Sequence, residues 1–496
     1  MAGQPPSAST SVLIAGAGPT GLTAALELSR LGVAVRIVDR AERPSPESRA
    51  LAVQARTLEL LRVRGVGDRM LPLGNRAGSA TLYASGRRLA SIELHRMPSR
   101  FNFILMLAQS ETERLLTEQL ARQGVKVERG VTVTAVRESA EGVDVTMRSS
   151  GADETVRASY VIAADGPHST IRRALGLGFA GRTLPHNYVL ADLHIDGDLP
   201  SDAVSIFLAA NGFFAVFPMG GGRFRLMATD PGGVATDAGE VGLAHIQVLF
   251  DRVVHVPARL HSMNWSSRFR INSRHMETLR KGRVFFGGDA AHVHSPAGGQ
   301  GMNLGVQDMI NLSWKLAMVL DGRAKTAVLD TYSSERLPVI RKVIGFTEIG
   351  TRVFNSTNRA VHQVRIRMAP KALGRSRVQE AAAAMFGQLS ADYRGGPFGA
   401  GDRVPDADGL YDELDLGALT LFTDDATARD ATRRWDGVVT ARPGRDDGWL
   451  LVRPDGYLAA RGDTGDIAAL TDFLREWFVA PGDVGMADHT DAHKVT

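Results

Sequence analysis

The stretch Gly16-Ala-Gly18-Pro-Thr-Gly21 constrains this chain more than any other. It lies between an apolar run, Ser11 to Ala15, and an Ala/Leu-rich segment reaching Arg30, so a strand enters the turn and a helix leaves it. A second apolar run, Ala34 to Asp39, completes a strand–turn–helix–strand unit. Gly16, Gly18 and Gly21 bring bare backbone and the positive end of a helix to one point, with Pro19 and Thr20 opening that helix; such a point receives a pyrophosphate. Asp39 ends the second strand, where a carboxylate accepts hydrogen bonds from the hydroxyls of an adenosine ribose. The unit predicts an α/β sheet holding an ADP-bearing cofactor, the alternative being a structural glycine turn with a surface aspartate.

Composition narrows what that cofactor serves. The 496 residues include no cysteine, which removes disulfide frameworks, Cys-ligated zinc, iron–sulfur clusters, thiol nucleophiles and dithiol exchange. Redox work must then use the bound cofactor. The net charge is +4, with both signs interspersed, so no nucleic-acid partner is expected. The start of the chain has neither the cationic segment nor the apolar core of a secretory signal, and no run reaches the length of a membrane span. A cytoplasmic protein with no membrane partner is the expectation.

Further along, the patterns predict a helix near 49–64, a hairpin around Gly86, a helix from about Ser110 to Arg122, and a strand ending at Asp165. From Tyr188 to Asp230 the apolar residues alternate, with Val204, Ile206 and Leu208 on one face and a turn at Gly220-Gly-Gly222. A buried strand from Arg283 to Gly288 and a long apolar helix from about Gly301 to Leu320 then return the chain to its first sheet. Past Pro397 come a strand near Leu419, a hairpin turning on Pro454-Asp455-Gly456, and an amphipathic helix from Asp466 to Phe478. The expected organisation is a cofactor domain over 1–180, an inserted β-sheet substrate domain over 181–280, the cofactor domain's return with a helical segment over 281–395, and a C-terminal domain over 396–496.

Three motifs in order specify the cofactor. After the glycine turn come Ala164-Asp165-Gly166-Pro-His-Ser169 and Gly287-Gly288-Asp289-Ala-Ala-His292-Val-His294-Ser-Pro296-Ala-Gly298-Gly-Gln-Gly301-Met-Asn303. Together these resemble the class A flavoprotein aromatic hydroxylases, the family of phenol and chlorophenol hydroxylases and polyketide-tailoring monooxygenases, over nearly the whole chain. The resemblance implies a Rossmann-type FAD-binding domain, an inserted antiparallel-sheet substrate domain and a C-terminal thioredoxin-like α/β domain. It also implies that Asp165 belongs to a motif serving FAD and NAD(P)H, that Asp289 bonds the ribityl chain, and that Arg49 and Gln109 contact the flavin chain and pyrophosphate. Arg40 and Val133 match adenosine contacts more loosely, the alternatives being a solvated arginine and an ordinary sheet valine. Independently, a helix starting at Gly301-Met302-Asn303 points unpaired N–H groups at a reduced, anionic flavin. Gly299 leaves room for the ring edge and Pro296 stiffens the approach.

In that family NADPH or NADH reduces FAD transiently, O2 reacts at the flavin, and one oxygen atom passes to an electron-rich ring. No second glycine fingerprint offers NAD(P)H a site of its own. A small aromatic substrate, phenolic or polyketide-type, is expected, with the chain a monomer or homodimer; the catalytic base is unassigned. Baeyer–Villiger insertion, epoxidation and antibiotic-inactivating hydroxylation remain open on the same scaffold, as does a non-catalytic flavoprotein that sequesters an aromatic compound. A halogenase would need a W-x-W-x-I-P motif, which is absent. His292 and His294 lack a third ligand, so no metal is expected. Arg223 and Arg225 alternate onto one face of the inserted sheet and are expected to be solvated; Phe101, Phe103 and Met106 are expected in the core. The C-terminal unit, lacking cysteine, is expected to be structural.

Overall fold

The computed structural model describes residues 9–45, 50–209, 212–230, 240–296, 298–356, 358, 367–368, 370–444 and 447–481. The first unit forms Ser9–Ala15, Pro19–Arg30 and Val35–Asp39. Ser9–Ala15 runs parallel to Val35–Asp39 on one side and to Ala152–Ala163 on the other. Val127–Arg129 and Val284–Phe286 extend the parallel order on the two flanks. The carboxyl ends of all five strands therefore share one edge, where an open α/β sheet places its ligand. Val12, Leu13 and Ile14 are fully buried, as the continuous apolar run requires.

A second sheet of eight strands takes the order His292–Val293, Ala258–His275, Ala180–Gly197, Arg223–Asp230, Gly212–Gly220, Ala203–Ala209, Ser79–Ala84, Arg87–Glu93. It reaches beyond the 181–280 span expected for it. The hairpin around Gly86 joins it because an isolated two-stranded ribbon cannot bury its own apolar face; Ser79–Ala84 pairs in parallel with Ala203–Ala209. Alternation divides the sheet's residues. Val189, Ala191, Phe214, Val216 and Leu226 cluster with Ile246, Leu249 and Phe250 of helix Leu243–Val253, while Leu190, Phe213 and Met227 face the other way beside Phe217, Trp265 and Phe269.

Helix Gly301–Leu320 crosses the interior, with every residue from Asn303 to Met318 buried, which explains its all-round apolar pattern. It packs on Pro19–Arg30 and on helix Thr331–Phe354. The C-terminal unit is a βαβ element, Leu419–Thr423, Ala426–Thr432 and Val439–Arg442, followed by the hairpin Trp449–Val452 and Leu458–Gly462 and helix Ile467–Trp477. Its core continues into the main body through Trp314 and Met318 of the long helix. The turn at Asp455 is buried rather than solvated, because Asn311 on the long helix donates to Asp455 and Glu335 on the neighbouring helix accepts from Arg453 of the same turn. Among the described residues no helix is long and apolar enough to cross a membrane.

Candidate active site

The shared strand edge opens into a cavity of about 750 Å³ that continues to the second sheet. At its nucleotide end, Gly16 adopts φ +102°, and a Cβ there would run into the Ala164 carbonyl, so only glycine fits. Gly18 faces the cavity with no protein atom within 4 Å of where a Cβ would stand, leaving bare backbone for a ligand. Asp39 holds the turn: its Oδ2 accepts from Ala17 N (2.6 Å) and its Oδ1 from Ala41 N (2.8 Å). Each oxygen keeps a second lone pair for a hydroxyl. Pro19 and Thr20 line the cavity, but Gly21 does not; its missing side chain lets the helix pack on the Gly16 carbonyl, so its role is packing rather than contact.

Arg40, Gln109, Val133, Asp165 and Asp289 all reach the same cavity. Gln109 Oε1 accepts from Ala50 N (3.1 Å) and its Nε2 donates to Glu113 Oε1 (2.8 Å). Burial raises the Glu113 carboxyl above its ordinary range, against the opposing pull of Gln109 and Arg129. Asp165 Oδ2 accepts from Thr170 N (2.8 Å) and Ile171 N (3.3 Å), the start of helix Thr170–Ala174. Arg49 lies outside the described residues.

Further along the cavity, Pro296, Gly299, Gly301 and Met302 form the wall at the N-terminus of the long helix. Asn303 does not reach the cavity with its side chain. Its Oδ1 accepts from Gln54 N (2.9 Å) and its Nδ2 donates to Ala52 O (2.8 Å) and Gly299 O (2.9 Å), so it ties the glycine turn to the strand Ala52–Val53. His292 is buried with Nε2 2.7 Å from Asp308 Oδ2, and among the described residues no group of His, Asp or Glu could hold a metal ion. His294 lines the cavity; Nδ1 stands 2.8 Å from the Ser295 carbonyl and so must donate, leaving Nε2 as an acceptor. Burial pushes its pKa down to about 4, against that carbonyl's pull, so the ring is neutral near pH 7.

At the far end stand Leu190, Phe217, Met227, Trp265 and Phe269. Arg225 overturns the expectation of a solvated face: it is 2% exposed, whereas Arg223 at the hairpin end is exposed. Arg225 donates through Nε and Nη2 to Asp192 Oδ1 and Oδ2 (both 2.7 Å) and through Nη1 to Ala50 O (3.1 Å), while Trp265 Nε1 donates to Asp192 Oδ2 (3.1 Å). A cross-strand carboxylate, invisible in the local pattern, neutralises it. Phe101 and Met106 are in the core as expected, with Phe103 packed against it.

The residues fit FAD. Besides the bare backbone at Gly18, three buried polar atoms in the cavity wall have no hydrogen-bond partner among the described residues: Asp165 Oδ1, His294 Nε2 and Gln300 Nε2. They offer two acceptors and a donor to a polar heterocycle and its side chain. Comparison with known proteins agrees. Residues 9–347 match the FAD-binding domain family and residues 403–481 the C-terminal domain of aromatic-ring hydroxylases. The chain is 34% identical to 6-methylpretetramide 4-monooxygenase of Streptomyces rimosus, over 95% of this chain and 94% of that protein. It is 32% identical to pentachlorophenol 4-monooxygenase of Sphingobium chlorophenolicum, over 90% and 85%. The solved structure of anhydrotetracycline hydroxylase from Streptomyces rimosus superposes with a TM-score of 0.80 at 31% identity, covering 95% of this chain and all of that one. The chain belongs to the family of FAD-dependent aromatic monooxygenases. It is an enzyme, and FAD is its cofactor.

Proposed function

We propose that this enzyme hydroxylates a phenolic or polycyclic, polyketide-type ring, with NADPH or NADH as reductant, O2 as oxidant and the cytoplasm as its compartment. The observation carrying the reading is one continuous cavity with a dinucleotide turn at one end and an aromatic, mostly apolar wall at the other. FAD held there supplies hydride acceptance from a nicotinamide and activation of dioxygen. The chain's own residues do the rest. Gly16, Gly18, Pro19 and Thr20 form the pyrophosphate cradle, Asp39 takes the adenosine ribose with Arg40 and Val133 flanking, and Gln109, Asp165 and Asp289 hold the chain between adenosine and flavin, as does Arg49 by family likeness. Pro296, Gly299, Gly301 and Met302 meet the ring, where the helix N-terminus favours negative charge on it.

Phe217, Trp265 and Phe269 present ring faces and edges to an aromatic substrate and keep water from the reacting atoms. Relatives named for 6-methylpretetramide and for pentachlorophenol support a substrate of fused or substituted phenolic rings. The test is stopped-flow absorbance of the oxidised flavin mixed with NADPH or NADH, with and without a panel of phenols and polycyclic phenols. Faster bleaching with one compound, and a product one oxygen heavier in air, is expected. No acceleration by any panel member, or an ester product of ring insertion, refutes hydroxylation of this class.

A further inference from the structure

Beneath the turn that carries Asp289 lies a carboxylate outside the cavity lining. Asp308, on the long helix, is 0% exposed. Its Oδ2 accepts from Gly288 N (3.1 Å) and from His292 Nε2 (2.7 Å), and its Oδ1 accepts from Arg336 Nε (2.8 Å). Gly288 and His292 bracket Asp289, the cavity-lining residue of that turn. Gly288 itself sits at φ +55° against Thr20 of the pyrophosphate turn. We propose that Asp308 is a positioning residue for the flavin site: its buried carboxylate fixes both ends of the turn that carries Asp289, and Arg336 compensates its charge.

The arrangement carries this further than an ordinary buried ion pair would. Helix Gly301–Leu320 provides the ring-facing wall at its N-terminus and, two turns on, the anchor for the facing turn, so one rigid element sets the spacing of two cavity walls. Arg336 is itself fixed, donating through Nη1 to Tyr393 Oη (3.1 Å) and through Nη2 to Leu304 O (3.3 Å). Burial would raise the Asp308 carboxyl, but Arg336 and His292 outweigh it and hold it down to about 2, so the anchor stays ionised. An asparagine at 308 cannot replace it. With its oxygen toward Arg336 its NH2 group faces the donors at Gly288 and His292; turned over, it faces the guanidinium.

Asp308→Asn tests this through FAD affinity, titrated by flavin fluorescence on apoprotein whose fold is checked by circular dichroism. The expected result is a Kd weakened by about tenfold or more, the loss of one charge-assisted hydrogen bond at the turn. A Kd within about twofold of the parent overturns the proposal, whatever happens to the melting temperature, because a merely structural role lowers stability without moving the affinity of the folded fraction. If Asp308→Asn does not fold, the pair His292→Gln and His292→Leu decides. Glutamine retains an N–H for the carboxylate and should bind FAD within about threefold of the parent, while leucine should fall about tenfold; equal affinities overturn the proposal. Both readouts need only FAD and the apoprotein, so they stand apart from the identity of reductant and aromatic substrate.

Discussion

Replacing Arg453 by methionine should undock the C-terminal unit. Arg453 is 0% exposed and sits between two carboxylates. It donates through Nη1 and Nη2 to Glu335 Oε1 (2.6 Å) and Oε2 (2.9 Å), and through Nε and Nη2 to Asp455 Oδ1 (2.9 Å) and Oδ2 (2.6 Å). Lys315 is the other cation, donating to Glu335 Oε2 (2.7 Å) and Asn311 Oδ1 (3.0 Å). The cluster is thus balanced, Arg453 and Lys315 against Glu335 and Asp455. Methionine fills much of the same space but leaves one buried carboxylate without a counter-charge, which costs about 3–5 kcal/mol. That is a large share of the roughly 5–15 kcal/mol that holds a domain folded. Calorimetry of the holoenzyme at pH 7.5 should show the first transition falling by about 10 °C. Adding Glu335→Gln leaves Lys315 facing Asp455 alone, one charge of each sign, and should recover at least half of the loss. A fall smaller than about 2 °C in the single variant, or a double variant less stable than the single, refutes the charge argument.

Three further outcomes follow from the same geometry. Gly18→Val should leave the apoprotein's melting temperature within about 2 °C of the parent, since nothing stands within 4 Å of where the new Cβ would be. FAD affinity, read by fluorescence titration, should nevertheless fall by about a hundredfold as the side chain takes the pyrophosphate's place. On acidification, Asp308 and Glu335 should dominate the loss of stability. Burial raises both, but Arg336 and His292 for Asp308, and Arg453 and Lys315 for Glu335, hold each down to about 2, below their ordinary 3.8 and 4.5. Their stabilisation is therefore fully present above about pH 4.5 and is lost as pH falls toward 2. Melting curves between pH 7 and 3 should bend below pH 4.5, and Glu335→Gln should flatten the bend. Phe217→Ala should raise the KM for the aromatic substrate about tenfold while leaving FAD affinity unchanged; steady-state kinetics beside a flavin titration checks both.

Local periodicity made much of this fold legible in the sequence. The glycine turn, the helix from Gly301 to Leu320 and the C-terminal hairpin lie where spacing put them, because each is fixed by neighbours within a few residues. What escaped is non-local. The hairpin around Gly86 joins a sheet whose other strands begin about a hundred residues later, and no local signal names that partner. Arg225 read as solvated because its neutraliser, Asp192, stands on another strand. Gly21 and Asn303 belong to the motifs yet serve packing and tethering, a distinction that depends on which way a missing Cβ or an amide points. Glu113, Arg129 and Trp265 reach the cavity without any motif. One signal was present: Asp308, Asn311 and Lys315 fall at helical spacing on a helix apolar enough to be buried, and polar groups there require partners.

Those partners connect two parts of the molecule that the sequence presents as separate. Glu335 and Arg336 are neighbours on helix Thr331–Phe354. Glu335 receives Arg453 from the C-terminal turn, and Arg336 donates to Asp308, which holds Gly288 and His292 around the cofactor turn. A single helical segment therefore carries one ion pair to each side. Because a half-satisfied charge network is costly in a low-dielectric interior, loosening the Arg453 pair should disturb the helical segment that also carries Arg336. The docking of the C-terminal unit and the support of the turn carrying Asp289 thus meet on one helical segment.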